Sequence, residues 1–333
     1  MKNHLFIISI SIIILILNSC SKSSSNPAKS ANEDIYVSGE YNSNVVYWKN
    51  GNMVTLGQAA GTGKIAINGN DVYVTATQTL ATDDHHAIYW KNNVMTDLGE
   101  GFAGDIAIVG NDVYVAGAIL KNNVNEAVCW KNGVLTDYGE GDINQMIVSG
   151  NDIYMAGEVY SADSGYRAAY WKNGSLVKLG LGFLVSIALS GSDVYAAGES
   201  FNNPDYTIGY WKNGNFVKVG DEGIVITGIA VSGNDVYCSG FDEEKPQIGA
   251  YWKSNSEMTV PGTTDLSGVA AINNKIYFSG NYQSPLTTAG VLTESALIIE
   301  NNNLTTLASV PYEPNSGTIP ILVLAGEIVV VNK

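Results

Sequence analysis

Carboxylates are the most numerous reactive groups in this chain. Three of them, Glu40, Glu158 and Glu199, hold one repeated position, directly after a glycine that ends a strand-like segment. Converging carboxylates repel unless a cation or water lies between them, and hard cations take oxygen ligands. The three are therefore expected to ring a channel mouth, where Ca²⁺ is the cofactor they could hold, although no calcium-loop spacing is present. Asp83-Asp84-His85-His86 is the only run with the ligand types of a transition-metal site. Flexible neighbours rarely pre-form a tetrahedral set, so a polar surface loop is the competing expectation.

A further group offers contact area. Tyr160, Tyr166, Phe201 and Tyr206 fall in loops of adjacent units, with Glu158, Arg167 and Glu199 nearby in sequence. Aromatic anchors with a few polar neighbours suit a ligand surface, and plain loop packing is the structural alternative.

Catalytic arrangements are sparse. His85 and His86 have no serine elbow beside them, so a Ser-His-Asp arrangement is not indicated. A carboxylate pair for glycoside hydrolysis, or a lyase-type tyrosine base, is compatible with the loop acids and with Tyr41, Tyr160, Tyr166, Tyr206, Tyr282 and Tyr312. Gly61-Thr62-Gly63-Lys64 lacks the first glycine of a phosphate loop, since Gln58 stands there, and a strand follows it; no nucleotide is expected. Ser161-Ala162-Asp163-Ser164-Gly165 matches part of an Asp-box but occurs once and without the tryptophan, which reads as chance.

The elements that must position these groups are set by a repeat. Trp48, Trp90, Trp130, Trp171, Trp211 and Trp252 fall at intervals of 42, 40, 41, 40 and 41 residues. A period near 40 built only from strand-like segments means blades around an axis. In one unit, Asp105 to Gly139, the order is DIAIVG, NDVYVAG, a polar stretch, EAVCWKNG and VLTDYG, which gives four short strands. Asn-Gly at Asn50-Gly51, Asn132-Gly133, Asn173-Gly174 and Asn213-Gly214 suits a two-residue hairpin with positive φ at both central residues. Tyr-Trp dipeptides put large rings on both sides of the third strand, so both sides must be covered, as between neighbouring blades.

Inner strands are expected near Ile65, Ile106, Met146, Ile187, Ile229, Val269 and Ile321, hence seven blades. The chain enters at a second strand, Asp34 to Gly39, and leaves with ILVLAG and EIVVV, so both termini close one blade. One strand is left over on this count, and an eighth, incomplete blade is the alternative. Cys129 and Cys238 lie in strands of non-adjacent units and are expected as buried thiols.

A meander of four strands puts the two tight turns on one face and the long connections on the other. The turn face carries Lys49, Lys91, Lys131, Lys172, Lys212 and Lys253, balanced by aspartates. The loop face gathers most other acids, Asp105, Asp142, Asp242 and Asp265 among them. A net charge of −15 disfavours nucleic acid and anionic headgroups and suits cations, basic partners or neutral polar ligands.

Ahead of the fold, Lys2 and the apolar run Leu5 to Leu17 form an export signal too short to span a bilayer. Leu17-Asn18-Ser19-Cys20 resembles the bacterial lipobox, which implies cleavage before Cys20 and lipidation of that residue. Residues 1–19 are then a signal peptide, 20–33 a Ser-rich tether and 34–333 the propeller. Acidic residues are absent directly after Cys20, which by the same resemblance favours the periplasmic side of the outer membrane over the cell surface.

The strand order resembles that of kelch-type propellers and is similar to propeller lipoproteins of Bacteroidota. Ala116-Gly117 and Ser239-Gly240 stand where kelch units carry Gly-Gly, and the tryptophan sits on the third strand, so the resemblance implies a fold and no activity. The sequence thus predicts an all-β, seven-bladed propeller, tied to a membrane only by its lipid and binding a protein or glycan through its loop face. A carbohydrate-active enzyme and a purely structural envelope protein are the alternatives.

Overall fold

The computed structural model describes residues 32–81, 83–162, 165–201, 206–221, 223–245, 248–284, 292–312 and 323–333. Cys20, the export signal and most of the tether lie outside them, as do Asp163, Asp205, Glu313 and Ile321. Among the described residues there is no helix.

The repeat resolves into seven four-stranded antiparallel sheets. Blade one consists of Val323–Asn332, Glu33–Tyr41, Asn44–Lys49 and Asn52–Gln58, from the axis outward. Blade two runs Ile65–Asn68, Asp71–Thr79, His85–Lys91, Val94–Glu100. Single 16-residue strands, Val134–Ser149 and Ser175–Ser190, each serve as the outer strand of one blade and the inner strand of the next, which joins blades three, four and five. Blade six runs Ile224–Ser232, Asp235–Asp242, Gly249–Lys253, Ser256–Val260, and blade seven Asp265–Ile272, Lys275–Gln283, Leu292–Glu300, Asn303–Tyr312. The inner strands touch in sequence order, and that of blade seven touches Val323–Asn332, so the ring is closed.

The hairpin chemistry is as the sequence predicts. Asn50 and Gly51 have φ of 50° and 80°, both positive, as a two-residue turn between right-twisted strands requires. Each such asparagine also braces the neighbouring turn: Asn173 Nδ2 donates to Asp152 Oδ1 at 2.7 Å, and its Oδ1 accepts the Ile153 N–H at 2.9 Å. The bracing recurs at Asn50, Asn92, Asn132 and Asn213. It holds the two tight turns of a blade side by side on one face. There Lys49, Lys91, Lys131, Lys172, Lys212 and Lys253 pair with Asp34, Asp71, Asp112, Asp152, Asp193 and Asp235.

All six tryptophans are buried, none more than 3% exposed. Each packs on the preceding blade: Trp90 against Tyr36 and Val45, Trp171 against Ala107, Ala116 and Cys129, Trp211 against Tyr154 and Ala168. The core is therefore seven interblade seams rather than one central mass. In blade seven Ile299, fully buried, takes the tryptophan position opposite Phe278. Cys129 and Cys238 are free and buried, and burial pushes both thiols up to about 12.

Two expectations about ring closure are corrected. No strand is left over, because VLAG (323–326) and EIVVV belong to one strand, Val323–Asn332, with a bulge at Gly326 and Glu327. The residue equivalent to Ile65 is consequently Ile328, opposite Val37, and not Ile321.

The same bulge recurs in other inner strands, for example between Ala103 and Asp105 and between Ile143 and Gln145. In blades one, three, four and five it turns a polar side chain across to the next blade. Glu327 Oε2 accepts the Ile65 N–H at 2.9 Å, Gln145 Oε1 accepts the Ile187 N–H at 2.6 Å, and Ser186 Oγ accepts the Ile229 N–H at 3.0 Å. Asp105, expected on the loop face, belongs to this belt. It is 2% exposed and accepts the N–H groups of Ile106 at 2.7 Å and Met146 at 2.6 Å. Burial and the charge of Glu327 raise its carboxyl well above the usual range, against the opposing pull of Lys64 and the two N–H groups.

Candidate functional site

A cleft of about 760 Å³ opens on the loop face across blades three to five. Asn123, Val124 and Asn125 come from the hairpin between the second and third strands of blade three. Gly141 and Asp142 come from the crossing into blade four, and Glu158, Tyr160 and Tyr166 from the loop-face ends of that blade's second and third strands. Phe183 and Phe201 close it from blade five. Gly141 is required at the crossing: its φ is 151°, and a Cβ there would meet the Glu158 carbonyl oxygen.

Asp142 and Glu158 are direct cross-strand partners, so their side chains lie on one side of the sheet. Each carboxylate is tied to an amide. Asn125 Nδ2 donates to Asp142 Oδ2 at 3.3 Å, and Asn144 Nδ2 donates to Glu158 Oε2 at 3.2 Å while also reaching the Leu184 carbonyl of the next blade at 2.8 Å. Burial, with the nearby charge of Asp142, pushes Glu158 up to about 7 despite the hydrogen bond from Asn144. Burial raises Asp142 as well, against the Ile143 N–H and Asn125. Near neutral pH the pair is thus less anionic than its composition suggests, and it can both accept and donate hydrogen bonds.

The tyrosines of the aromatic wall are exposed and its phenylalanines half-buried. Tyr160 and Tyr166 meet edge to face with centroids 5.4 Å apart. Phe201 makes the same contact with Phe183 at 5.8 Å and with Tyr206 at 5.2 Å, which joins three rings of blade five along one side of the cleft. Large rings left half in water on both sides of a cavity are a surface available to a ligand.

Of the residues singled out from sequence, Glu158, Tyr160, Tyr166 and Phe201 line this cleft, and Tyr206 adjoins it through Phe201. Arg167 follows Tyr166 on the third strand, paired through its backbone with Val159 and Leu181, outside the lining. The three glutamates do not come close enough together to hold one ion. Glu40 lines a separate cavity of about 450 Å³ with Gln58 and Gln78, and Glu199 stands opposite Phe183, where burial and the charge of Glu243 raise its carboxyl. Equal positions on the second strands of blades one, four and five set the three at intervals around the axis.

The histidine run is divided too. His86 Nδ1 faces Asp97 Oδ2 at 2.9 Å, whereas His85 Nδ1 faces Thr79 Oγ1 at 3.1 Å and its ring packs on Phe102 at 4.9 Å. Successive side chains on a strand point to opposite sides, which separates them. Asp83 and Asp84 lie in the tight turn closed by their own backbones on Leu80. Among the described residues, no three His, Cys, Asp or Glu side chains group closely enough to hold a metal ion.

Asp142, Asn125, Asn144 and Phe183 were missed as site residues. The available signal was the pairing of Gly141-Asp142-Ile143 with Gly157-Glu158-Val159, which any four-stranded reading of blade four implies.

No family model matches the chain, and no curated protein matches it. Among solved structures, it is similar to apo AztD from Citrobacter koseri, with 11% identity over 90% of this chain and 98% of that one and a TM-score of 0.45. It is also similar to an acylaminoacyl peptidase from Pyrococcus horikoshii, with 10% identity over 86% of this chain and 51% of that one and a TM-score of 0.49. An RS223 β-xylosidase aligns at 9% identity over 72% of this chain and 90% of that one, with a TM-score of 0.35. Likenesses of this order carry no argument about activity.

Proposed function

We propose that this propeller is a lipid-anchored binding scaffold of the cell envelope that holds an uncharged polar ligand in the loop-face cleft of blades three to five. The observation that carries this reading is the cleft itself: the exposed rings of Tyr160 and Tyr166 and the half-buried ring of Phe201 border two amide-tethered carboxyls, Asp142 and Glu158. Rings supply apolar contact area, and the tethered polar groups supply orientation. The scaffold's placement supports it as well. Asp34 and Lys333 lie on the turn face, joined by an ion pair of 3.2 Å, so the chain enters the domain opposite the cleft. A lipid at Cys20 then leaves the cleft directed away from the bilayer. The test is a binding screen of the intact protein against glycans, peptides and metal ions. Binding of an uncharged ligand that Tyr160→Ala and Tyr166→Ala each weaken supports the reading; binding indifferent to both variants refutes it.

A carbohydrate-active enzyme is the second reading, favoured by Glu158 alone. A carboxyl pushed up to about 7 beside a second carboxylate has the environment of a general acid. Product release from a bound glycan that is abolished by Glu158→Gln would establish it.

A further inference from the structure

The cleft does not end at Asp142. A second cavity of about 410 Å³ adjoins it, lined by Phe102, Ala103, Gly104, Gly117, Leu120, Ile143 and Asn144, and shares with it Asn125 and Asp142. Each volume lies within the range of about 300 to 1,000 Å³ that accommodates a small ligand. The two lie side by side, with the polar Asn125 and Asp142 in the lining of both and apolar side chains in the remainder of each. At the far end Phe102 is 36% exposed and Leu120 59%, and the His85 ring stacks on Phe102.

We propose that the two cavities are successive subsites for a single linear, uncharged oligosaccharide, which crosses the loop face from Phe201 to Phe102 over the Asn125–Asp142 pair. This rests on the binding reading above and names its ligand. Three observations select the class. The ends present ring faces and edges, which match the apolar faces of pyranose rings, while the middle presents amide and carboxyl groups that match hydroxyls. Among the described residues the lining of both cavities contains no lysine or arginine and three acids, Glu140, Asp142 and Glu158, so an anionic chain finds no partner among them. A shared polar wall between two cavities suits a ligand whose units repeat, since one small molecule would fill only one of them.

The experiment is calorimetric titration of the intact protein with uncharged glucans, mannans, xylans and galactans, each graded from disaccharide to hexasaccharide, and with an oligolysine peptide in parallel. The expected result is one series in which affinity rises about tenfold or more with length, that is, by about 1.4 kcal/mol. Phe102→Ala should remove that gain and leave disaccharide affinity intact, and Leu120→Ala, at a more exposed position, should act in the same direction should Phe102→Ala fold poorly. Affinity that is flat with length, or a gain that survives both variants, overturns the two-subsite inference while leaving the single-cleft reading in place. Failure of every saccharide, with the oligolysine peptide binding in a Tyr160-dependent manner, overturns the oligosaccharide and the uncharged-ligand reading together.

Discussion

Lys275 Nζ lies 3.6 Å from Glu300 Oε1, with the two charges exchanged relative to the aspartate and lysine of the other six blades. The exchange has a physical cause in ring closure. Glu33, the first residue of the second strand in blade one, is 3% exposed and reaches over to blade seven, where Lys275 Nζ meets its Oε2 at 3.0 Å. Tyr277 Oη donates to the same oxygen at 2.6 Å, and Asn273 Nδ2 to the other at 3.0 Å. An aspartate at position 275 would set two carboxylates against each other in a buried seam.

Glu33→Ala should therefore destabilise the fold by about 2 to 4 kcal/mol, the range for removing one member of a buried, hydrogen-bonded charge cluster. Lys275→Asp should be more damaging still, and adding Glu300→Lys should not restore stability, because Glu33 still lacks its cation. Urea denaturation of the four proteins checks this; full rescue by the double exchange would show that Glu33 is not the cause.

Trp171→Ala should cost about 3 to 5 kcal/mol, as a large ring is lost from a packed seam. Trp171 touches Ala107, Ala116 and Cys129 of blade three, small groups that cannot expand into the space. A midpoint within error of the parent would contradict the assignment of the tryptophans to interblade packing.

The tryptophan clock, the Asn-Gly hairpins and the lysine–aspartate turns were legible in the sequence because they recur with fixed chemistry at a fixed period. The axial belt was not. Aligned on Ile65, Ile106, Met146, Ile187, Ile229, Val269 and Ile328, the preceding residues are Lys64, Asp105, Gln145, Ser186, Gly228, Gly268 and Glu327. The position repeats while its chemistry does not, so Asp105 looked like one more loop acid. Strand count failed at Gly326-Glu327 for a similar reason: a glycine before a charged residue reads as a turn, yet here it is a bulge inside one strand. Four of the cleft's residues could be picked as exposed loop groups. Asp142 could not, since its role comes from standing opposite Glu158, a matter of register.

Asp105 gives the belt its test. Asp105→Ala leaves two buried N–H groups, of Ile106 and Met146, without an acceptor, at about 1 to 3 kcal/mol each. Asp105→Asn keeps one acceptor oxygen and removes a buried charge near Glu327, so it should lose clearly less. Chemical denaturation that ranks asparagine below alanine would contradict the belt.

Glu158 predicts a pH dependence with a definite sign. Its carboxyl is raised in the folded protein from 4.5 to about 7, so across that window the native state holds a proton that the unfolded chain releases. Stability from this group is present at low pH, falls as pH rises through the window, and is level above it. The lowered aspartates of the turn face, such as Asp71 and Asp152, where lysine and asparagine hold the carboxyl down, act oppositely and at lower pH. The parent's stability should therefore decline relative to Glu158→Gln between pH 5 and 7.5. Parallel curves for the two proteins across that interval would remove Glu158 as the titrating group.

The Lys333 N–H donates to the Asn32 carbonyl at 3.0 Å, so the two described ends of the chain meet within a single hydrogen bond. The backbone of this ring is consequently all but continuous where its ends meet. Linking Lys333 to Asn32 and opening the chain at another tight turn, such as Asn213-Gly214, would give a circular permutant in which every blade keeps its neighbours. Because the seam and those turns share the face opposite the cleft, the cleft would be indifferent to where the permutant begins.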